Sequence, residues 1–219
     1  MIELLTACRP DDRLRKAEKL MDEQYDSAYV ILKTIQPTEL TSTADKALYA
    51  LLYCQALDKN EIYTATDSLI SIATDYFDKR DNVKAAYSWF YKSRIEGRNS
   101  ESVVQANALL KAQSYAENTK NNKLLALLFF DKAVMYSNQL MYDSAVLYNR
   151  LAANSFRIVN DNYNYALCKL SEANMNILIF KLDKAKSICD SINQEKDYLD
   201  FDITLESSFY RTYASLYYR

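Results

Sequence analysis

The chain has 219 residues, 49 % of them hydrophobic, and a formal net charge of −2, so its charge gives no indication of a nucleic-acid partner. It contains one glycine and two prolines, too few for the many tight turns of a sheet protein, and this favours an all-α fold. Histidine is absent, which removes the usual metal ligand and the usual general base, and one glycine cannot form a phosphate-binding loop. We therefore expect no cofactor and no metal site.

The first ten residues are predicted to be a separate segment, because Leu5-Thr6-Ala7-Cys8 resembles a bacterial lipobox. The resemblance implies that 1–10 is the remnant of a lipoprotein signal or tether, with a lipid on Cys8 and an extracytoplasmic location, in the periplasm or at the outer membrane. The apolar run before it is short, contains Glu3 and lacks a basic start, so an accidental match in a cytoplasmic protein is the alternative. Membrane contact is expected only through that lipid, because no other stretch is long and apolar enough to span a bilayer.

The helices that follow are predicted from small residues that recur about 40 residues apart. One series consists of Ala17, Ala56, Ser93, Ala133, Ala173 and Ala214, and a second series, 11 to 13 residues later, consists of Ala28, Leu69, Val104, Ala145 and Ala185. Small residues let two helices approach closely, and a period of this length is typical of stacked helical hairpins. The pattern predicts an α-α superhelix, or solenoid, of about five and a half hairpins.

In chain order, Asp11 places negative charge at the start of the first helix, and Pro37 ends the first pair. Ser42 or Thr43 can cap the next helix. The predicted hairpins span residues 11–37, 42–78, 82–119, 122–159 and 162–195, and with a last helix at 203–219 they form one repeat domain over 11–219. The last helix is aromatic. Either it is itself the cap of the array, or a continuation of the protein or another chain covers it, which would allow self-association.

Three cysteines lie inside predicted helices. Cys168 and Cys189 fall on the two helices of one hairpin, about equally far from its turn, so they could face each other. A disulfide is conceivable in an oxidising compartment, but we expect two buried free thiols. Cys54 has no obvious partner, and without a CxxC pair a zinc site is not expected.

The repeats resemble tetratricopeptide repeats over most of the chain. In that family a bulky residue precedes the small residue of the first helix by four positions, as Leu52, Trp89, Phe129 and Tyr210 do here. An apolar-Asp-x-Ala pattern at the second helix recurs in Tyr25-Asp26-Ser27-Ala28, Tyr142-Asp143-Ser144-Ala145 and Leu182-Asp183-Lys184-Ala185. The chain departs from the family in its longer period, in Lys169 at a bulky position and in the missing turn glycine. It is similar to divergent repeat proteins of Bacteroidetes-type bacteria, which implies the extracytoplasmic part of a signalling or envelope protein.

The resemblance also implies a binding surface, because the first helices of this family line the concave side. Counted from the small residues, this surface would hold Tyr53, Leu57, Tyr87, Phe90, Arg94, Phe130, Val134, Leu170, Asn174 and Arg211, with Arg98 at its edge. Aromatic residues and arginine are enriched at protein interfaces, so the expected partner is a protein or peptide. The alternative is that these aromatic residues pack on the neighbouring repeat. The Lys and Asn residues with which some members grip a peptide carboxylate are not present at the matching positions.

Catalysis is not expected. The acidic candidates Glu96, Glu101 and Glu172 are predicted at helix ends or outer faces, in water, and no histidine can activate a serine or cysteine. The leading hypothesis is a non-catalytic helical-repeat scaffold that binds a protein or peptide through its concave face. A sensor domain for a small molecule or sugar is the first alternative. A purely structural array that self-associates through residues 203–219 is the second.

Overall fold

The computed structural model describes residues 11–99, 102–195 and 202–217, and every regular element among them is a helix. The α-helices are α1 (Asp12–Leu20), α2 (Tyr25–Lys33), α3 (Thr43–Lys59), α4 (Asp67–Phe77), α5 (Asn82–Arg98), α6 (Ser102–Thr119), α7 (Asn122–Asn138), α8 (Tyr142–Ile158), α9 (Asn162–Leu178), α10 (Leu182–Glu195) and α11 (Ile203–Ser215). A short 3-10 helix, Pro37–Glu39, lies between α2 and α3. The all-α prediction is confirmed, and each predicted hairpin consists of two consecutive α-helices. Cys8 and Glu101 lie outside the described residues.

Polar side chains fix where the first helix of each pair begins. The side chains of Asp11, Ser42, Asp81, Asn121, Asp161 and Asp202 each accept a hydrogen bond from a backbone N–H in the first turn of the helix that follows. Such a cap satisfies an amide that has no partner inside the helix. Thr66 caps α4 in the same way, whereas α2 and α8 begin without a side-chain cap.

The turns that follow α7, α8 and α9 are built alike. Leu140, Asn160 and Phe180 have φ values of 60°, 57° and 58°, in the left-handed region. The amide of the next residue reaches back five positions, as from Met141 to the carbonyl of Tyr136 at 2.9 Å, which is the Schellman arrangement at a helix end. Each turn takes three residues, so consecutive helices begin 20 residues apart, at 122, 142, 162 and 182.

The chain divides into two compact units, Met1–Thr119 and Lys120–Arg219. In the first unit each helix packs on the next, and α3 also contacts α1 and α5. We call α1, α3 and α5 the first-helix layer. The second helices of this unit show no contact of comparable extent among the described residues, so the first-helix layer is the more closely packed side. With α1, α2, α4 and α5 around it, α3 is buried on nearly all its faces.

In the second unit, α7 to α11 pack on one another in chain order, and α11 also contacts α9. The core of this unit includes Phe156, Leu170, Ile177, Leu205 and Phe209. The arrangement within each unit is that of an α-α helical repeat. That one continuous domain extends over 11–219 stays a prediction.

Most of the predicted crossing residues lie where two helices meet. The buried ones are Ala17, Ala28, Ala56, Ser93, Ala133, Ala145, Ala173 and Ala185. Val104 and Ala214 are exposed instead, which differs from the prediction. The reason at Ala214 is that α11 packs on its neighbours through the other face, which carries Leu205, Phe209 and Thr212.

Cys54, Cys168 and Cys189 are buried free thiols, as expected. Burial in apolar surroundings raises the pKa of Cys54 to about 12 and that of Cys189 to about 11, and it raises the pKa of Cys168 further. Because the thiolate is the reactive form, these cysteines are inert at neutral pH.

Candidate functional site

In the first unit, two of the predicted binding residues lie in the core and not on a surface. Leu57 is 2 % exposed and Phe90 is 1 % exposed. Counting from the small residues places Leu57 and Phe90 on a face of the first helices, but it does not show whether that face is covered. In the structure α3 is surrounded by four helices, and α5 is covered by α3, α4 and α6. These two side chains therefore cannot contact a partner, and they agree with the alternative that aromatic residues of the predicted trough pack inside the array.

The half-buried Tyr53 also packs internally. Its ring stacks on Tyr49 at 5.3 Å between centroids and lies 6.1 Å from Tyr29 of α2. Burial is the main reason why the pKa of Tyr53 is raised. Tyr53 thus packs α2 against α3. The other predicted tyrosine, Tyr87 on α5, is also half-buried.

The two predicted rim arginines of the first unit bind a single carboxylate. Arg94 and Arg98 both donate to Asp58, whose side chain is nearly buried at the end of α3. The guanidinium of Arg94 lies 4.7 Å from the ring centre of Phe90, and that of Arg98 lies 4.7 Å from the ring centre of Tyr63. These arginines therefore hold α5 against α3 and the loop after it.

The predicted residues of the second unit have mixed environments. Phe130 packs against the core of this unit, and Leu170 is part of that core. Asn174 is half-buried, Val134 is exposed, and Arg211 is exposed on α11.

Two of the acidic residues expected in water are buried, which corrects that prediction. Glu172 is 2 % exposed and accepts hydrogen bonds from Arg150, at 3.1 and 2.9 Å, and from Lys169, at 2.6 Å. Glu96 is also buried, next to Asp67, whose pKa is lowered mainly by Lys92 and also by the hydrogen bond with Glu96. Arg150 and Asp67 belong to the preceding helices α8 and α4, and helix position alone does not show such contacts.

A cavity of about 390 Å³ lies across the first-helix layer, and sequence counting missed it. Its walls come from α1, α3, the start of α5 and the end of α4, and its lining residues are Arg15, Glu18, Ala44, Asp45, Leu48, Tyr76, Phe77, Arg80, Asp81 and Lys84. We call it the layer cavity. The count from the small residues pointed to the middle and the end of each first helix, whereas this cavity opens near the starts of α3 and α5.

Most charges of the layer cavity are paired. The Lys84 ammonium lies 3.3 Å from a carboxylate oxygen of Glu18 and 3.3 Å from one of Asp81. Burial by itself lowers the pKa of Lys84, but these two carboxylates raise it above the ordinary value of lysine. Arg80 donates to the carbonyl oxygens of Asp75 and Tyr76 at 3.3 and 2.7 Å.

Asp45 differs from these groups. It is 7 % exposed, and its backbone N–H donates to Ser42 Oγ at 3.0 Å, but its carboxylate has no ion pair or hydrogen bond among the described residues. The apolar part of the wall next to it consists of Leu48, Phe77 and the ring of Tyr76. The cavity therefore combines an apolar wall with one carboxylate, on a largely buried residue, that reaches the solvent of the cavity and is available to a ligand.

A second cavity of about 430 Å³ lies beside the first and shares Tyr76 and Arg80 with it. Its other lining residues are Thr43, Lys46, Ile72 and Asp75. Both cavities open to solvent, so together they form a groove that crosses the end of α4 and the start of α3.

None of the described helices has the length and apolar character required to span a membrane. In the same part of the chain, no group of three or more cysteine or acidic side chains is arranged to hold a metal ion. Comparison of the chain with protein-family models, with curated proteins and with solved structures gives no match. The chain is therefore classified by its architecture, as an all-α protein of the helical-repeat type.

Proposed function

We propose that this chain is a non-catalytic helical-repeat scaffold of the tetratricopeptide type that binds an extended segment of another protein across its first-helix layer. The observation that carries this proposal is the layer cavity, which reaches over three successive first helices. A groove that crosses several repeats suits a polypeptide, because its backbone can run across the helices while alternate side chains enter the cavity.

The composition of the cavity supports the same proposal. Peptide-binding surfaces combine an apolar centre with a polar rim. Here Leu48 and Phe77 supply apolar wall, and Arg15, Glu18 and Lys84 supply charge around it. Arg94 and Arg98, expected at first to contact the partner, are bound to Asp58, so they set the position of α5 in this proposal and do not bind the ligand.

A cavity-filling variant tests the proposal. Ala44 is exposed on α3 and lines the layer cavity, so Ala44→Trp adds an indole there without entering the core. Peptides selected from a random phage-displayed library on the unaltered protein should lose binding to this variant. The matched control is Ser114→Trp, at an exposed position of α6, which should bind them normally.

The outcomes of this experiment are distinct. Equal binding of the selected peptides to both tryptophan variants would reject the layer cavity as the binding surface. The volume of about 390 Å³ also falls in the range of small-ligand sites, so a sugar or metabolite sensor is the second candidate. That function would require a free sugar or metabolite to bind the unaltered protein and to be displaced in Ala44→Trp.

We also propose an extracytoplasmic location with a lipid on Cys8, on the basis of Leu5-Thr6-Ala7-Cys8. Cells that express the full chain and are fed a fatty acid with a clickable tag should label it, and Cys8→Ala should remove the label. Labelling that persists in the variant would contradict this assignment.

A further inference from the structure

Asp45 is the charged residue of the layer cavity for which the surrounding helices supply no partner. The other half-buried charges of the lining, Lys84 and Asp81, pair with each other, Lys84 also pairs with Glu18, and Arg80 donates to backbone carbonyls. The Asp45 residue is 7 % exposed, its carboxylate has none of these partners among the described residues, and its oxygens still reach the solvent of the cavity. A carboxylate that is largely shielded from bulk water and has no partner in the protein attracts an opposite charge that enters beside it.

The position of Asp45 at the start of α3 explains why an acidic residue is favoured there, but not why it is largely buried. An acidic residue in the first turn is favoured by the helix dipole, and Asp45 is the third residue of the helix. The cap itself is made by Ser42, however, and the helix dipole would favour an exposed carboxylate equally. The burial of Asp45 against an open cavity is therefore a separate observation from its place in the helix.

We infer that Asp45 binds the cationic end of a lysine or arginine side chain of the polypeptide that occupies the layer cavity. This inference rests on the proposed function and specifies its ligand. The wall formed by Leu48, Phe77 and the Tyr76 ring suits the methylene stem of such a side chain, while the charged end meets the carboxylate.

The rim of the cavity favours a long side chain over a free cation. Arg15 and Arg80 also line the cavity and offset the negative charge of Asp45 and of the group formed by Glu18, Lys84 and Asp81, so a small cation gains little net attraction from the lining. A lysine or arginine side chain carries its charge beyond these groups on an apolar stem that gains from the wall. A cation without a stem has no such compensation, so simple amines should bind much more weakly than peptides.

The test uses a pair of defined peptides. One is a blocked peptide of alternating alanine and lysine, and the other is the same peptide with every lysine acetylated on Nζ. Binding to the full chain is followed by fluorescence anisotropy and by the amide signals of Asp45 and Leu48 in the NMR spectrum. The lysine peptide should bind and shift both signals, and the acetylated peptide should bind at least about tenfold more weakly, as expected for loss of a buried charge pair.

Asp45→Asn removes the charge but keeps the shape of the side chain and one hydrogen-bond acceptor. It should weaken the binding of the lysine peptide by about the same factor. The matched control is Asp26→Asn, an exposed carboxylate on α2 that lines neither cavity, which should leave binding unchanged. Arg15→Ala should strengthen the binding of the lysine peptide, because it removes a positive charge from the rim of the cavity. Thermal unfolding of each variant shows whether it is folded. If Arg15→Ala lowers the melting temperature as much as Asp45→Asn does, then Asp45 is the ion-pair partner of Arg15 within the protein, and the inference fails.

Several results would overturn the inference. They are an unaltered protein that does not bind the lysine peptide, or an Asp45→Asn variant that binds it as well as the unaltered protein does. If Ala44→Trp blocks the library-selected peptides in these cases, the proposed function stands and only the assignment of Asp45 fails. If Ala44→Trp has no effect on any peptide, both fail.

Discussion

At the residue scale, one carboxylate oxygen connects three helices of the first unit. Asp78 directly follows α4, and its Oδ1 accepts hydrogen bonds from the Tyr115 hydroxyl at 2.7 Å and from the Trp89 indole N–H at 3.3 Å. Tyr115 belongs to α6 and Trp89 to α5. The hydrogen bond from Tyr115 is the main reason why the pKa of Asp78 is lowered, although burial opposes it.

This contact makes stability depend on pH in a definite direction. A carboxylate with a lowered pKa in the folded state stabilises the protein above its unfolded pKa, about 4, and this contribution is lost as the pH falls through the folded pKa. Tyr115→Phe removes the donor, so it should lower the melting temperature at pH 7. Below about pH 4 the difference between the variant and the unaltered protein should shrink.

Melting curves recorded by circular dichroism between neutral and acidic pH check this prediction. Tyr210→Phe, at an exposed position of α11, provides the control, and its melting temperature should follow that of the unaltered protein at every pH. A deficit of Tyr115→Phe that stays constant with pH would show that the hydroxyl does not act through Asp78.

The buried ion pair of Glu172 allows a second prediction at this scale. Glu172→Ala leaves Lys169 without its carboxylate and removes the acceptor of Arg150. Loss of a buried pair costs about 3 kcal/mol or more, but Arg150 is 54 % exposed and regains water, so we expect roughly 2 kcal/mol. Asp190→Ala breaks the exposed pair with Lys186 and should cost about 0.5 kcal/mol or less. Urea unfolding of the two variants measures the contrast, and equal losses would be inconsistent with the burial of Glu172.

At the element scale, the starts of the helices are set by capping side chains that can be recognised in the sequence. Asn121 and Asp161 stand one position before α7 and α9 and cap them, bonding to the amides of Leu124 and Asn164. The corresponding position before α8 holds Met141, which cannot cap. Because α7, α8 and α9 begin 20 residues apart with similar turns, these three starts form a natural comparison.

Met141→Asp should therefore stabilise the protein by about 1 kcal/mol, since it gives α8 the cap that its neighbours have. Asp161→Met is the reverse change and should destabilise by a similar amount. Chemical denaturation of both variants provides the measurement. If Met141→Asp has no effect while Asp161→Met destabilises, then the start of α8 is satisfied by groups other than its cap residue.

The boundaries of the helices were predictable because caps and apolar spacing are local. The turns were less predictable. The glycine typical of the family is missing, and the turn positions with positive φ are occupied by residues such as Leu140 and Phe180, which do not indicate a turn in the sequence. The layer cavity could not be predicted from spacing. Counting from Ala56 and Ser93 identifies a side of the helix, but whether that side is covered depends on how closely α3 approaches its neighbours, as the burial of Leu57 and Phe90 shows.

At the scale of the whole molecule, packing is dominated by helices that are neighbours in sequence. In the second unit, each of α7, α8, α9 and α10 packs on the next, and α11 adds to α9 and α10. Contacts between elements so close along the chain need little loop closure, so folding can begin at more than one hairpin.

The neighbour-to-neighbour packing of the second unit has a mechanical consequence. Tension applied along the chain would not have to break one central core, because a hairpin can detach from the end of the stack while the rest keeps its contacts. With helices that begin every 20 residues, each detached pair would lengthen the chain by roughly 130 Å when fully stretched. Such a segment would yield to a pull in small, even increments and re-form when the load is removed, as an extensible connector does.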